Sequence, residues 1–267
     1  MDKTTATNLR VVLSGAVVLL LATGVAARLG ALPWQRHAAP ATATAAVPER
    51  TPTTLAPLDP VTRYQVPLSM SQPKRGAEDA IVTIVEWCDF HTPKCIAAEP
   101  VLSAVLQAYP KDVRLAFRHF ADPSSMPQLE EHEFTRMAFE HAGKFFEAQA
   151  LLEAAPAVAT RDDLARYSAQ LGMNWTTVQK DLNDHSFAGV IIADHTFAGM
   201  FDVKDIPAFF VNGRRLQGDA SLAGFRQLID DELTRTKQLV ANGIPKDKVY
   251  AELIKNGKWE KPTLKRN

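Results

Sequence analysis

Two cysteines in 267 residues are too few for a disulfide scaffold. They are inert side chains, a single bridge, or a site. An excess of charge of one sign is also missing, since thirty Lys and Arg cancel thirty Asp and Glu. A globally basic nucleic-acid binder is thereby excluded, and any basic cradle would have to be local. No His-Glu-x-x-His occurs, and no glycine-rich loop follows a strand-like run. Neither the zinc-protease motif nor a phosphate cradle is therefore present. His132 and His141 have Glu neighbours, but a gap of nine residues does not place two ligands on one helical face. No metal, organic cofactor or nucleic acid is anticipated. What the chain does have is 46% hydrophobic residues with 22% charged, which suits one globular domain with appendages.

The first appendage is N-terminal. Lys3 and Arg10 precede an uncharged run of 17 residues, Val11 to Ala27. A spanning helix needs about 20 residues, with about 17 at the lower limit. Residues 1–30 are read as a signal peptide or a transmembrane anchor. Val25-Ala26-Ala27 and Ala22-Thr23-Gly24 both offer small residues for cleavage. The positive-inside rule leaves Lys3 and Arg10 in the cytoplasm and everything after residue 27 outside. Residues 31–62 are rich in Ala, Thr and Pro and read as an extended tether. This predicts a periplasmic or otherwise extracytoplasmic protein, held at the inner membrane through residues 11–27. Both cysteines then lie in an oxidising compartment.

The folded part is expected over 63–240, with 241–267 as a C-terminal extension. Lys74-Arg75-Gly76-Ala77 reads as a turn. Ile81 to Trp87 is β-branched and nearly continuously apolar, as a strand covered on both faces requires. Cys95 to Tyr109 reads as a helix, with Ile96, Val101, Leu102, Val105 and Leu106 as its buried stripe. Val113 to Phe120 is a second strand, parallel to the first because a helix of this length makes a crossover. Residues of about 127–200 are helical throughout: Gln128–Phe139, Lys144–Ala154, Arg161–Leu171, Thr176–Asn183 and Phe187–Phe197. Thr160 and Asn174 are the expected N-caps. Leu129, Phe134 and Phe139 read as core of this block. Val203 to Gly218 forms a hairpin around Asn212-Gly213, and Ser221–Val240 and Asp247–Lys255 close the chain as helices. Lys74, Arg75, Lys261, Lys265 and Arg266 read as solvated ends. The order defines an α/β protein, a thioredoxin-like fold with an inserted helical subdomain.

Between Arg75 and Leu239 the marks are Val82-Thr83-Ile84-Val85-Glu86-Trp87, Asp89-Phe90, Pro93, Cys95, Ile206-Pro207 and Phe209-Phe210-Val211-Asn212-Gly213. In this order, with the helical block between them, they resemble the DsbA-like family of extracytoplasmic thiol–disulfide oxidoreductases. The resemblance implies exchange with cysteines of exported polypeptides or of a redox partner protein. It also implies a Cys-x-x-Cys at the start of the first long helix, and here that motif is Thr92-Pro93-Lys94-Cys95. Thr92 stands where the attacking cysteine would be. Its hydroxyl is not ionised at neutral pH and forms no disulfide, although Thr92 and Pro93 suit N-cap and N1 positions.

Cys95 corresponds to the resolving cysteine. Cys88 lies seven positions earlier. If the turn folds back, the two fall within the Cα separation of about 4.4–6.8 Å that a disulfide needs. Otherwise both are small buried hydrophobes, or Cys95 reacts alone. Glu86 corresponds to the family's buried strand carboxylate, which assists proton transfer. Ile206-Pro207 corresponds to the cis-proline loop, whose preceding backbone pairs with a substrate strand. His91 is placed to donate a hydrogen bond to a nearby thiolate. The second reading is a non-catalytic peptide-binding or chaperone-like module using the groove near Pro207.

Overall fold

The computed structural model describes residues 61–216 and 220–259. The predicted membrane segment, 11–27, and the tether as far as residue 60 lie outside the described residues. Among the described residues no helix is long and apolar enough to cross a membrane.

A five-stranded sheet forms the centre. Its strands are β1 (Lys74–Gly76), β2 (Val82–Cys88), β3 (Val113–His119), β4 (Ala208–Val211) and β5 (Arg214–Arg215), in the spatial order β1-β3-β2-β4-β5. Helix α1 (Pro93–Ala108) connects β2 to its parallel neighbour β3, and β4 runs antiparallel on the other side of β2. Every residue of β2 is buried, which explains its lack of polar alternation. Lys74–Gly76 is a strand, not the expected turn. It pairs antiparallel with β3 from Lys74↔Ala116 to Gly76↔Arg114, so tertiary pairing overrides its polar composition.

The side chains of β2 alternate between two cores. Val82 and Ile84 pack with Val113, Leu115, Phe209 and Val211 beneath α1 and α7 (Leu222–Ala241). Val85 and Trp87 pack on the opposite face with Phe201, Phe210 and Tyr250. The buried stripe of α1 is Cys95, Ala98, Leu102 and Val105. Ile96, predicted in that stripe, is 36% exposed instead, because the stripe's phase is set by Cys95. The inserted helices are α2 (Met126–Ala142), α3 (Phe145–Glu153), α4 (Arg161–Leu171), α5 (Trp175–Asn183) and α6 (Ala188–Met200). Thr160 caps α4 through a reciprocal pair with Asp163, and Asn174 accepts from the Thr177 N–H. Leu129 and Phe134 are buried and Phe139 is half-buried.

The β4–β5 turn has positive φ at both Asn212 (47°) and Gly213 (81°), as a tight hairpin requires. A Cβ at Gly213 would lie 2.5 Å from the Tyr64 carbonyl oxygen, so only glycine fits. Asn212 is buried and ties the hairpin to β2, accepting from the Thr83 N–H (2.9 Å) and donating to the Ile81 carbonyl (3.2 Å). The last helix, α8, spans Lys246–Ile254.

Candidate redox site

The register of the sheet assembles the site at the C-terminal end of β2. Cys88 is paired with His119 of β3. On the other side Trp87 is paired with Ala208, and continuing that register sets Pro207 opposite Cys88. The Ile206–Pro207 bond is cis. Ile206 packs against the apolar cluster that contains Cys88, Phe90 and Cys95.

After Cys88 the chain turns sharply, and Asp89 holds the turn. Its carboxylate accepts from the backbone N–H of His91 (3.1 Å) and Thr92 (2.6 Å) and from the Thr92 hydroxyl (2.8 Å). Thr92 takes the N-cap position of α1, as predicted, but its side chain makes no cap hydrogen bond. The hydroxyl is turned towards Asp89 instead. The Thr92 carbonyl accepts from the N–H of Cys95 (2.9 Å) and of Ile96 (3.2 Å), which starts the helix. The turn brings Cys88 and Cys95 to a Cα separation of 5.8 Å, and they are joined by a disulfide. Both are 1% exposed.

His91 does not reach the sulfurs by any hydrogen bond. Its Nε2 lies 2.9 Å from the Glu131 carboxylate, which also accepts from the Ala159 N–H (2.6 Å). Burial raises the Glu131 carboxyl above its ordinary range.

Glu86 lies two residues before Cys88 on the same face of β2. It is 1% exposed, and its Oε2 has no partner. Burial pushes its carboxyl well above the usual range, and the nearby Glu99 adds to this. Glu99 accepts from Arg75 (2.5 Å) and Gln149 (3.0 Å). Gln149 also donates to Glu153 (2.7 Å), whose carboxyl burial pushes up to about 7. Arg75, expected as a solvated end, is thus drawn in over the Phe146 ring and against Glu99.

The sign of the resulting pH dependence is fixed. Unfolded glutamates ionise near the ordinary 4.5, whereas folded Glu153 holds its proton to about 7 and Glu86 is also raised. Across this window the unfolded state binds fewer protons, so stability falls as pH rises. A Glu86→Gln/Glu153→Gln protein should lose less stability than the parent between about pH 5 and about pH 8 in urea titrations. Parallel curves for the two proteins would contradict this assignment.

Two residues that sequence reasoning did not bring to the site are beside the disulfide. His119 Nδ1 lies 2.9 Å from His132 Nδ1 of α2. His119 is 1% exposed and His132 2%. The His132 ring stacks on Phe90 at 4.3 Å, and the His119 ring meets Phe117 edge-on at 5.4 Å. The expected strand bounds, Ile81–Trp87 and Val113–Phe120, do not set His119 against Cys88; the observed register of β2 and β3 does. Among the described residues no group of three or more His, Cys, Asp or Glu is arranged to hold a metal ion.

This arrangement, a sulfur-bearing first turn of α1 facing a cis-proline loop across a mixed sheet, is that of a thioredoxin-fold protein. The thioredoxin family's sequence profile matches residues 69–231, and the chain belongs to that family. Solved structures agree on the fold. Oxidised BdbD from Bacillus subtilis superposes with a TM-score of 0.58 at 19% identity, covering 65% of this chain and 98% of that one. Wolbachia pipientis alpha-DsbA1 gives 0.56 at 16% identity, covering 66% and 96%. A periplasmic thioredoxin-like protein from Salmonella enterica serovar Typhimurium gives 0.52 at 18%, covering 61% and 91%. The expected thioredoxin-like fold is thereby matched.

Among curated proteins, the Na(+)/H(+) antiporter NhaA 3 of Salinispora tropica is 36% identical over 150 residues, which is 54% of this chain and 22% of the antiporter. NhaA 1 of Salinispora arenicola is 30% identical over 169 residues, 61% of this chain and 25% of the antiporter. The chain spans a quarter or less of the length of these two relatives.

Proposed function

We propose that this chain is an extracytoplasmic thiol–disulfide oxidoreductase-like protein. It acts on cysteines of exported polypeptides, or of a redox partner, through the pair Cys88–Cys95. The observation that carries this reading is the disulfide itself, seated at the start of α1 opposite the Ile206–Pro207 loop. A client dithiol is the reductant. One client thiolate attacks Cys95 Sγ and the S–S bond electrons leave on Cys88 Sγ. The client's second thiolate then attacks its own sulfur in the mixed disulfide and expels Cys95. The client leaves oxidised by two electrons, and Cys88 and Cys95 become thiols. Ile206 and Pro207 dock the client strand by backbone pairing, and Glu86 buffers protons under the helix. His91 closes the docking surface from the other side of the turn. Residues 11–27 anchor the protein to the inner membrane, and residues up to 62 carry the domain away from it. Ion transport is not part of the proposal, because the similarity covers so little of the antiporters' length.

Burial of both sulfurs and Thr92 at the attacking position support a second reading, a non-catalytic peptide-binding or chaperone-like module. Alkylation of the folded protein with and without a small dithiol, read by mass spectrometry, separates the two. Two alkyl groups added only after reduction support exchange, and none added in either case supports the binding module.

Thr92→Cys gives a further expected result. It puts a thiol at the outer edge of the helix start, where thiolate is favoured. The rate of client-dithiol oxidation should rise at least about tenfold, because exchange rates follow access and thiolate fraction. Asp89, which faces Thr92, opposes that thiolate, so adding Asp89→Asn should raise the rate again. An unchanged rate in Thr92→Cys would mean that the loop at Pro207 seats no client.

A further inference from the structure

A buried disulfide that is reduced must receive protons where water does not reach. Beside Cys88 the structure provides two imidazoles in contact. His119 shares the face of Cys88 as its register partner, and neighbouring strands lie about 4.8 Å apart. Its Nε2 is buried and has no hydrogen-bond partner, while its Nδ1 meets His132 Nδ1 at 2.9 Å. Resting on the redox reading above, we infer that His119 and His132 form a two-imidazole proton relay that serves Cys88.

The contact between two Nδ1 atoms requires one to donate and the other to accept. The accepting ring is therefore neutral, with a single proton between the two. Their surroundings agree. Burial holds His119 well below its ordinary range, helped by His132, Arg136 and Arg118, and burial lowers His132 to about 3, helped by His91. The other charged groups packed here are accounted for. Asp194 of α6 accepts from the His119 backbone N–H and from Arg118. Glu131 is bonded to His91 and Glu133 to His185. Glu86 lies on the same face of β2, two residues away.

Two neutral tautomers follow, and each suits one redox state. With the disulfide intact, His132 Nδ1 carries the shared proton, and His119 carries its own on Nε2, the buried nitrogen that has no partner. When the client thiolate attacks Cys95, the electron pair of the broken S–S bond settles on Cys88 Sγ. The His119 Nε2 proton moves to that sulfur, and the His132 Nδ1 proton moves to His119 Nδ1. A solvent proton enters at His132 Nε2 from the side of His91, whose side chain is 22% exposed. Both rings end neutral in the other tautomer, and the Cys88 thiol donates to the bare His119 Nε2. The expelled Cys95 thiolate takes its proton from solvent as the client departs. Two electrons and two protons have passed from the client dithiol to the pair. Reoxidation runs the relay backward and resets it, so Cys88 and the two imidazoles carry no net charge in either redox state.

The test uses the folded protein with ¹⁵N-labelled histidine, observed before and after reduction by a small dithiol. Long-range ¹H–¹⁵N correlations should place the His119 proton on Nε2 in the oxidised state and on Nδ1 in the reduced state, with His132 switching the opposite way. The same tautomers in both states would overturn the relay while leaving the redox reading intact. A wild-type disulfide that the dithiol never reduces would overturn both, before any variant is made. In His119→Phe/His132→Phe, which leaves neither ring orphaned, reduction at neutral pH should slow at least tenfold and lose its solvent isotope effect. An unchanged rate and isotope effect would also overturn the relay.

Discussion

Cys95→Ser should abolish dithiol oxidation, to the level of buffer alone. The serine hydroxyl neither forms a disulfide nor accepts a client sulfur, and Thr92 offers no substitute. Cys88 left alone has no partner thiol with which to complete a two-electron exchange. The same substitution opens a bridge of sequence separation seven. For a loop this short, closure entropy predicts a loss of about 2–3 kcal/mol. Activity and stability therefore respond together in Cys95→Ser, and chemical reduction of the wild type should reproduce the stability part. Urea titration of the oxidised, reduced and Cys95→Ser proteins reads this directly. Full activity retained in Cys95→Ser would remove the disulfide from the function.

Asp194→Ala should be strongly destabilising. Asp194 is 4% exposed and receives the Arg118 guanidinium and the His119 backbone N–H. Arg118 is itself 3% exposed. Its other contacts are the Pro67 carbonyl and the faces of Trp87 and Phe197, and none of them neutralises its charge. Alanine therefore leaves a buried cation without its carboxylate, which costs about 3–5 kcal/mol. A domain of this size loses about 2–4 °C of Tm per kcal/mol, so scanning calorimetry should register a drop of roughly 6–20 °C. Arg118→Met/Asp194→Leu should recover most of it, since replacing both charges leaves neither unpaired. A Tm change under about 2 °C in Asp194→Ala would show that the pair carries no stability.

Much of the fold was legible because its signals are local. The apolar run of β2, the caps at Thr160 and Asn174, and Asn212-Gly213 each fix an element by its own residues. The disulfide was not decidable from spacing. Its closure depends on the turn that Asp89 organises, and that turn uses the Thr92 hydroxyl in a direction opposite to the usual cap. Lys74–Gly76 and Arg75 were misread because their environment is supplied by distant chain, namely β3, Glu99 and Phe146. His119 and His132 were missed for a related reason. They lie thirteen positions apart, and neither carries meaning until β3 is aligned with β2 and α2 is laid across it.

The central claim is that the Cys88–Cys95 bridge exchanges electrons while the domain stays folded. Equilibration of the native protein against graded dithiol–disulfide buffers, followed by acid quench and thiol counting, tests it most directly. The account predicts one transition between zero and two free thiols, with the two-electron steepness of about 30 mV per tenfold change in the ratio. A bridge that stays closed at every potential until denaturant unfolds the chain would contradict it.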